Sequence, residues 1–391
     1  MNSMNFKITL DDLIKVNPNA HVILRKERLG EIESKIKDKF NSLTTFSKKV
    51  GLSRHFIYLI IRGSRNPNIH LALNIIHKLN LKIKDCIEKI TLIAKPNGSF
   101  INIKSFPINA TPNLASLVGH SFGDGHISNA FGYTNTSQRL INDVIERVHK
   151  LPVEKITMNY WFHKAHDIRF SKLVRDILVV AGAPKGNKIT NRYRLPDWIK
   201  FGSLKIKKAF LRALFDDEGS IVIKHRQILF CLSKNIELED NLDYFLRELK
   251  SLLKEFKIKR VSITVSHFHE GTNGKTIAKH LSISGFFNFV NFQKNIDFAH
   301  PRKKKLLDTM IKNTKIIKMN RNERNEMIIN ILKNSPMLNA HQIAKMTGMS
   351  HKGTLNKLNE LESEELISRT KDPSEAYFQH KPSFKWFINE F

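Results

Sequence analysis

Two stretches of the chain repeat one pattern, and this repeat limits the possible folds more than any other feature of the sequence. Residues 111–125 (TPNLASLVGHSFGDG) and 205–219 (KIKKAFLRALFDDEG) each read as an apolar helix that ends in an acidic residue followed by glycine. When the stretches are aligned on their final glycines, Asp124 corresponds to Glu218, 94 positions later. Segments that favour β-strands (HIS and SIVI) follow both helices. The repeat predicts a pseudo-two-fold α+β core.

Small residues on the two helices predict how the helices pack. Gly119 and Gly123 are about one helical turn apart, so they lie on one face and allow a second helix to approach closely. Ala213 is the matching small residue of the second helix. We therefore expect the helices to cross at the centre of the core. That crossing would bring Asp124 and Glu218 together at the C-terminal ends of their helices.

Two carboxylates in such a place call for a cation. A carboxylate at the C-terminal end of a helix is disfavoured by about 0.3–1 kcal/mol, and a second facing carboxylate adds to this cost. Oxygen ligands without clustered Cys or His favour Mg²⁺, or Mn²⁺, which can activate a water and stabilise the leaving oxygen of a phosphodiester. The alternative is that both acids are polar helix ends in a repeat without catalysis.

The charge of the chain predicts a polyanionic partner. Lys and Arg total 65 against 36 Asp and Glu, a formal charge of +29, while 41% of the residues are hydrophobic, as in ordinary globular proteins. Two cysteines cannot form a disulfide framework. No apolar run approaches the ~18 residues that span a bilayer, and the N-terminus lacks the apolar stretch of a signal peptide. We expect a cytoplasmic, nucleoid-associated monomer that binds double-stranded DNA and no membrane.

The N-terminal segment, residues 1–95, has the pattern of a helix-turn-helix. Gly51 can adopt the left-handed conformation that ends one helix, and Ser53 can cap the next. This arrangement resembles the DNA-binding domain of Cro and the phage repressors, and the alternative is a plain helical bundle. The second helix would be the recognition helix. Its inward side would comprise Phe56, Leu59 and Ile60, and its expected DNA contacts are Ser53, Arg54, His55, Tyr58 and Arg62.

The C-terminal segment, residues 320–391, repeats the order of helix, glycine turn, serine cap and helix. The turn lies at Gly348 to Ser350, and we expect 366–369 and 376–378 to pair as a β wing. The segment resembles a winged helix. Such a domain binds DNA or docks a protein partner, and the glutamates at 360, 362, 364 and 365 leave both uses open.

Residues 105–312 resemble the LAGLIDADG homing endonucleases that carry two motifs on one chain. The resemblance rests on the two motif helices and on GAPKGNK at 182–188 followed by LPDWI at 195–199, which looks like the stretch before the second motif. The resemblance implies a core of two αββαββα halves between a helix-turn-helix and a winged helix. The chain begins with Met1 and ends in NEF, unlike an intein, so the resemblance is to a free-standing enzyme.

The resemblance also implies site residues. Asp124 and Glu218 would be catalytic and would bind the metal, and Lys188 would be the catalytic basic residue of the first half. Lys303 or Lys304 would play that part in the second half. The sequence departs from the family at the crossing, where an acid (Asp217) stands in place of glycine or alanine, and a serine (Ser121) in place of an apolar residue. Close packing of the helices is therefore in question.

Strands after each motif helix are expected to form a saddle over DNA. Apolar and polar residues alternate from 261 to 266 (VSITVS), which predicts one packed face and one face that reads DNA, and Asn273–Gly274 predicts the hairpin turn that follows. The residues expected to contact DNA here are Ser262, Thr264, Ser266, Lys224 and Arg226, with Lys257, Lys259, Arg260, Lys275 and Lys279 as further phosphate contacts.

The function predicted from these features is Mg²⁺-dependent, site-specific cleavage of duplex DNA. One alternative is a transcription regulator that uses a LAGLIDADG core for DNA binding without cleavage. A third, less favoured interpretation is an RNA-splicing factor of the maturase type.

Overall fold

The computed structural model describes residues 6–91, 99–313, 321–347, 349–371 and 384–389. Three hydrophobic cores organise these residues. The largest contains both motif helices and the strands that follow them, the second lies in the N-terminal segment and the third in the C-terminal segment. No helix in these ranges is both long enough and apolar enough to cross a lipid bilayer.

The N-terminal segment contains a helix-turn-helix and an antiparallel sheet of order β2–β3–β4. Its elements are β1 (Lys7–Ile8), α1 (Leu10–Val16), β2 (His21–Leu24), α2 (Lys26–Phe40), α3 (Leu43–Val50), α4 (Arg54–Ile61), α5 (Ile69–Lys78), α6 (Ile83–Cys86), β3 (Ile87–Thr91), β4 (Phe100–Asn102), a 3₁₀ turn (Ile103–Ser105) and β5 (Ile108–Asn109).

The predicted helix-turn-helix is confirmed in α3 and α4. Gly51 ends α3 with a φ of 72°, which is the left-handed region, and the Ser53 hydroxyl accepts the backbone N–H of Phe56 at 3.2 Å. The inward side of α4 differs in part from the prediction. Its buried residues are Ile57, Ile60 and Ile61, whereas Phe56 and Leu59 are half-buried. The three strands of the sheet were not predicted.

The central core consists of two halves with the same order of elements. The first contains α7 (Pro112–Phe122), β6 (Gly125–Ile127), β7 (Phe131–Asn135), α8 (Gln138–His149), β8 (Met158–Phe162), β9 (His166–Phe170) and α9 (Lys172–Val180). A short helix, α10 (Asp197–Lys200), precedes the second half. That half contains α11 (Leu204–Glu218), β10 (Gly219–Val222), β11 (Gln227–Asn235), a 3₁₀ turn (Ile236–Leu238), α12 (Glu239–Glu255), β12 (Val261–Gly271), β13 (Gly274–Ser284) and α13 (Phe286–Asn295), followed by α14 (Pro301–Asn313).

The sheets of the two halves have equivalent strand orders, β6–β7–β9–β8 and β10–β11–β13–β12, and every pairing in them is antiparallel. Each half is therefore an αββαββα unit, as the resemblance implied. The mixed α+β, pseudo-two-fold fold class is confirmed.

The motif helices, α7 and α11, pack directly against each other. A Cβ atom added to Gly119 would lie 2.6 Å from the Phe210 carbonyl oxygen and 2.9 Å from the Ala213 Cβ, so only glycine fits at this point of the crossing. A Cβ atom on Gly123 would lie 2.4 Å from that of Asp217. The close approach is confirmed, and Asp217 fits because the residue opposite it has no side chain.

The C-terminal segment contains α15 (Arg321–Asn334), β14 (Leu338–Asn339), α16 (Ala340–Thr347), α17 (His351–Ser363), β15 (Ile367–Lys371) and β16 (Phe384–Ile388). Ser350 caps α17, and β14, β16 and β15 form an antiparallel sheet. The first predicted wing strand is confirmed as β15, but it pairs with β16. The expected partner at 376–378 and the turn residue Gly348 lie outside the described residues.

Candidate functional site

The ends of the motif helices bring Asp124 and Glu218 together in a half-buried place; we call these two residues the acid pair. Burial raises the pKa of Asp124 to about 6, and the charge of Asp217 adds to this effect. Burial also raises the pKa of Glu218 to about 7, with a further contribution from Asp124. The Asn135 amide donates a hydrogen bond to Asp124 Oδ2 at 2.7 Å. Each carboxylate is therefore destabilised as an anion, which is the condition that a bound cation would relieve.

Two lysines occupy equivalent positions beside the acid pair. Lys188 donates from Nζ to the backbone carbonyls at the end of α7, and Lys303 does the same at the end of α11. Burial lowers the pKa of each lysine, and the neighbouring acids oppose this shift. The accepting carbonyls are those of Phe122, Gly123 and Gly125 for Lys188, and of Phe215, Asp216 and Asp217 for Lys303.

The two candidate lysines of the second half differ in position. Lys303 lies at the acid pair, whereas Lys304 is exposed and forms an ion pair with Asp297 at 2.7 Å. The site therefore has one ammonium group beside the C-terminal end of each motif helix. Such an arrangement places positive charge next to the position where a phosphate would meet the acids.

Two buried side chains, Lys234 and Asp216, hold the backbone near Lys188 and Lys303, and sequence analysis did not identify them. Lys234 is wholly buried, its Nζ donates to the Lys188 carbonyl at 3.1 Å, and burial lowers its pKa to about 8. Asp216 accepts the backbone N–H groups of Ala299 at 3.1 Å and His300 at 2.9 Å, just before α14, which carries Lys303. Burial raises the pKa of Asp216 to about 6.

A group of polar side chains lies at the crossing itself. Its members are His120, Tyr133, Asp143 and Asp217, and all but the partly exposed Asp143 have buried side chains; we call them the crossing network. Asp217 accepts hydrogen bonds from His120 Nδ1 at 3.1 Å and from the Tyr133 hydroxyl at 2.7 Å. The backbone N–H of Asp124 also donates to Asp217, at 3.2 Å. The Asp217 carboxylate thus contacts the acid pair directly, through the backbone N–H of Asp124.

The electrostatics of the crossing network favour a charged histidine. Burial alone would lower the pKa of His120, but Asp217 and Asp143 raise it to about 9. Asp143 lies 3.8 Å from His120 Nε2 and pairs with Arg147 at 2.6 Å. Burial would raise the pKa of Asp143, but His120 and Arg147 hold it at about 2. An imidazolium between two carboxylates therefore stabilises Asp217 inside the core.

The network breaks the two-fold symmetry of the core. His120 is equivalent to Leu214, because each lies four residues before the acid that ends its motif helix. Tyr133 is equivalent to Phe230, because Tyr133 pairs with Gly125 in the first sheet and Phe230 pairs with Gly219 in the second. Leu214 and Phe230 are apolar and fully buried. All the side-chain partners of Asp217 described above therefore belong to the first half.

The polar face of the second sheet agrees with the prediction over part of its length. Ser262 and Thr264 pair with Ser282 and His280, on the face opposite the buried Val261 and Ile283. The register shifts between residues 265 and 267, so the alternation predicted through Ser266 is wrong. A β-bulge inserts one residue there, and the next positions on this face belong to His267 and His269.

The expected basic contacts divide into exposed and buried residues. Lys224 and Arg226 are exposed in the turn between β10 and β11. Lys279 lies on the core side of β13, 6% exposed, and pairs with Glu239 and Asp243 at 2.6 and 2.7 Å. The prediction of a phosphate contact for Lys279 is therefore wrong, because both ion pairs hold its ammonium group inside.

The first sheet offers an equivalent face that the sequence analysis did not identify. Asn159 pairs with Arg169, and Trp161 pairs with Asp167, on the side opposite the buried Ile168. The Arg169 guanidinium lies 5.3 Å from the centre of the Trp161 ring, a cation–π contact. An arginine and a tryptophan on a polar strand face are typical of nucleic-acid contacts.

The recognition-helix residues predicted from the sequence are exposed. Arg54, His55 and Tyr58 lie on the outer side of α4, and Arg62 follows its last residue. The Arg62 guanidinium lies 5.3 Å from the centre of the Tyr58 ring. Ser53 is also exposed, but its hydroxyl already caps the helix.

The acid pair fits a hard divalent cation by the chemistry of its donors, which are carboxylate oxygens in a place that disfavours their charge. Among the described residues, no three His, Cys, Asp or Glu side chains are arranged to hold a metal ion. A cation held by the acid pair would therefore have two side-chain donors from it.

Comparison with known proteins finds a family model that matches the second half of the core. Residues 205–297 match the family model described as a LAGLIDADG-like domain. Curated relatives include the tRNA-splicing ligase RtcB of Pyrococcus furiosus, 28% identical over 215 residues, and that of Methanopyrus kandleri, 26% identical over 216 residues. Each match covers 49% of this chain, and 22% and 21% of the respective relative. The replication factor C small subunit of Methanocaldococcus jannaschii is 27% identical over 213 residues, 48% of this chain and 11% of that protein.

Two solved structures are also similar. Full-length WhiA from Thermatoga maritima aligns over 64% of this chain and 89% of its own, with 14% identity and a TM-score of 0.34. The N-terminal LAGLIDADG domain of WhiA aligns over 47% of this chain and 82% of its own, with 14% identity and a TM-score of 0.32.

Proposed function

We propose that this chain binds a specific double-stranded DNA site and hydrolyses a phosphodiester bond in each strand with Mg²⁺ or Mn²⁺. The observation that carries the proposal is the acid pair at the helix crossing, with Lys188 and Lys303 in equivalent positions beside it. One chain supplies both halves of this site, so we expect a monomer to act. The matched LAGLIDADG-like domain supports the same assignment.

In this proposal, the acids, the lysines and Asn135 of the site have different roles. Asp124 and Glu218 would hold the cation, which supplies a Lewis acid and an activated water when bound. Lys188 and Lys303 hold positive charge beside the phosphate, where negative charge builds up during hydrolysis. Asn135 orients the Asp124 carboxylate, and the carbonyls at the helix ends orient the two ammonium groups.

Duplex DNA is the substrate that the rest of the molecule favours. The chain carries a formal charge of +29, and two β-sheets present polar faces with exposed basic residues. The helix-turn-helix adds a recognition helix of the kind that enters a major groove.

A second candidate is a regulator that binds DNA without cutting it. Asp217 favours this alternative, because it adds a third negative charge at the crossing and binds the backbone of Asp124. The deciding experiment selects bound sequences from a random duplex library with the full chain and then adds Mg²⁺ or Mn²⁺. Cuts in both strands support the enzyme, whereas a bound duplex that stays whole in either metal supports the regulator.

We expect binding to weaken steeply with salt, because each phosphate contact releases condensed counterions. A plot of log K against log salt concentration, measured by fluorescence anisotropy on the selected duplex, should have a slope steeper than about −3, which corresponds to more than ~4 phosphates. A shallower slope would contradict simultaneous binding of the duplex by several domains.

Arg54→Ala or Arg62→Ala should weaken binding to the selected duplex by about 1–3 kcal/mol if the side chain contacts a base edge, and should relax the preference at that base pair. A side chain that contacts only phosphate would weaken binding equally for all sequences. Asn19→Ala, an exposed change in the same segment, is the matched control. Unchanged binding after replacement of Arg54, His55, Tyr58 and Arg62 in turn would overturn the assignment of α4.

A further inference from the structure

The N-terminal segment is joined to the first half of the core by a helix that belongs to both hydrophobic cores. In α1, Leu13 is 4% exposed and lies in the central core, while Leu10 and Ile14 pack against the N-terminal core. The short strand β1 pairs with β5, which directly precedes the first motif helix. Phe106 packs against both cores. The segment before the helix-turn-helix is thus part of the core that holds the acid pair.

A buried polar contact fixes the end of α1. The Asn17 amide donates to Asp176 Oδ2 at 2.8 Å, and these residues are 4% and 0% exposed. The Arg175 guanidinium lies 2.9 Å from the other oxygen of Asp176. Separating α1 from α9 would leave a buried carboxylate short of one partner, which is unfavourable in a core. The ring of Phe6 also stacks on Trp198, with the ring centres 5.2 Å apart.

A second set of contacts joins the N-terminal sheet to the loop before β8. Phe100, the first residue of β4, exchanges two backbone hydrogen bonds with Glu154, at 3.1 and 2.8 Å. The Ser99 hydroxyl donates to the Lys155 carbonyl at 2.8 Å and accepts the Thr157 backbone N–H at 3.3 Å. These contacts involve different elements from those of α1, so rotation about one set would break the other.

We propose that the helix-turn-helix and the central core read one DNA duplex as a single rigid body, with a fixed number of base pairs between their two recognition elements. This inference rests on the proposed DNA binding. The hydrogen bonds of this docking join α1 and β4 of the N-terminal segment to α9 and residues 154–157, which belong to the first half. The contacts of α4 therefore lie at one end of the site, beyond the base pairs that the first half covers.

DNA geometry makes this rigidity measurable. A duplex turns once in about 10–10.5 base pairs and rises about 3.4 Å per base pair. Five inserted base pairs between the two elements turn the outer element to the opposite side of the helix, and ten move it about 34 Å along the axis. If the protein is rigid, α4 loses its DNA contacts after either insertion. If the helix-turn-helix is joined by a flexible tether, α4 regains its contacts after the insertion of ten base pairs.

The experiment uses the full chain and its selected duplex. Hydroxyl-radical footprints of the wild type and of the Arg54→Ala/Arg62→Ala variant locate the outer element as the protection that the variant loses. Insertions of 2, 5 and 10 base pairs next to that element are then compared by gel shift. We expect each insertion to lower affinity by about 10-fold or more, to the level of the double variant on the original site.

A loosened variant provides the matching control. Phe6→Ala/Asn17→Ala removes the ring stack and the buried hydrogen bond, so the affinity loss from the 10-base-pair insertion should shrink, whereas Asn19→Ala should behave as the wild type. Two results would overturn the inference without contradicting DNA binding. One is that the wild type regains its affinity when 10 base pairs are inserted. The other is that Arg54→Ala/Arg62→Ala leaves the footprint unchanged. A chain that binds none of the selected duplexes overturns the proposed function instead. The wild-type series decides the question even if the loosened variant fails to fold.

Discussion

Asp124→Asn and Glu218→Gln should each abolish cleavage while the chain continues to bind its selected duplex. Both changes keep the size of the side chain but remove a charge that holds the divalent cation. Loss of several kcal/mol of transition-state stabilisation corresponds to a rate lower by about 10³-fold or more. Binding should persist or tighten, because fewer anions then face the phosphates. Single-turnover cleavage assays and gel shifts on the same duplex measure the two effects separately.

The same variants should be more stable than the wild type in the absence of metal. The pKa of Asp124 is raised from 3.8 to about 6, and that of Glu218 from 4.5 to about 7, so the folded state binds their protons more tightly than the unfolded state. Stability therefore falls as pH rises from about 4 to 7, and the full penalty applies at pH 8. We expect the free energy of unfolding of each variant at pH 8 to exceed that of the wild type by about 1–3 kcal/mol.

Glu255→Gln is a matched control for these changes. Glu255 also ends a helix, α12, and pairs with Lys207 at 2.6 Å, but it is not part of the site. Its replacement should leave cleavage unchanged. Full cleavage by Asp124→Asn would contradict the assigned metal role, and a wild type that never cuts would favour the regulator.

His120→Leu should destabilise the fold by about 3–5 kcal/mol, because it leaves the carboxylate of Asp217 buried without its cation. Asp217→Ala should also destabilise, since it leaves the imidazolium with Asp143 as its remaining acid. The double variant removes both charges, so its loss should be smaller than the sum of the single losses by about 1–3 kcal/mol. Chemical denaturation of the four proteins measures this coupling. Strictly additive losses would show that the two groups do not interact.

The network also predicts a pH window. The pKa of His120 is raised from 6.5 to about 9, so its stabilising contribution is complete below pH 6.5 and is lost as pH rises through 9. The wild type should therefore lose stability between these values, by roughly 3 kcal/mol. The double variant His120→Leu/Asp217→Ala should lack that decline. A decline of equal size in both proteins would assign it to other groups.

Sequence analysis predicted the features that depend on local pattern. The motif helices and the helix-turn-helix follow from periodicity and cap residues, which lie within a few residues of one another. The place of Lys188 beside the acids follows from the resemblance of the stretch at 182–188 to the LAGLIDADG homing endonucleases. The partners of Asp217 could not be predicted in this way. Its contacts to His120 and Tyr133 join residues 97 and 84 positions apart, and each partner also suits the interior of its own helix or strand.

The burial of two lysines, Lys234 and Lys279, was not predicted although a signal was present. Lys234 continues the alternation of Ile228, Phe230 and Leu232, and Lys279 stands between Ile277 and Leu281 in the same way. A strict two-residue period places both on the core side of their strands. Charge alone suggested a phosphate contact for Lys279, and the period was the better guide.

The N-terminal sheet was missed for another reason. Its strands are three to five residues long, and β2 pairs with β3 more than sixty positions later. Local turn signals do not predict the pairing of β2 with β3, because helices α2 to α6 lie between these two strands in the chain.

The broken symmetry of the crossing means that neither half can replace the other. A chain built from two copies of the second half would set two residues like Asp217 against each other among leucine and phenylalanine, with no imidazolium to neutralise them. Two copies of the first half would place Gly123 against Gly123 and give each His120 no acid from across the crossing. Each half therefore depends on residues that the other half supplies across the crossing, and the two halves are not interchangeable.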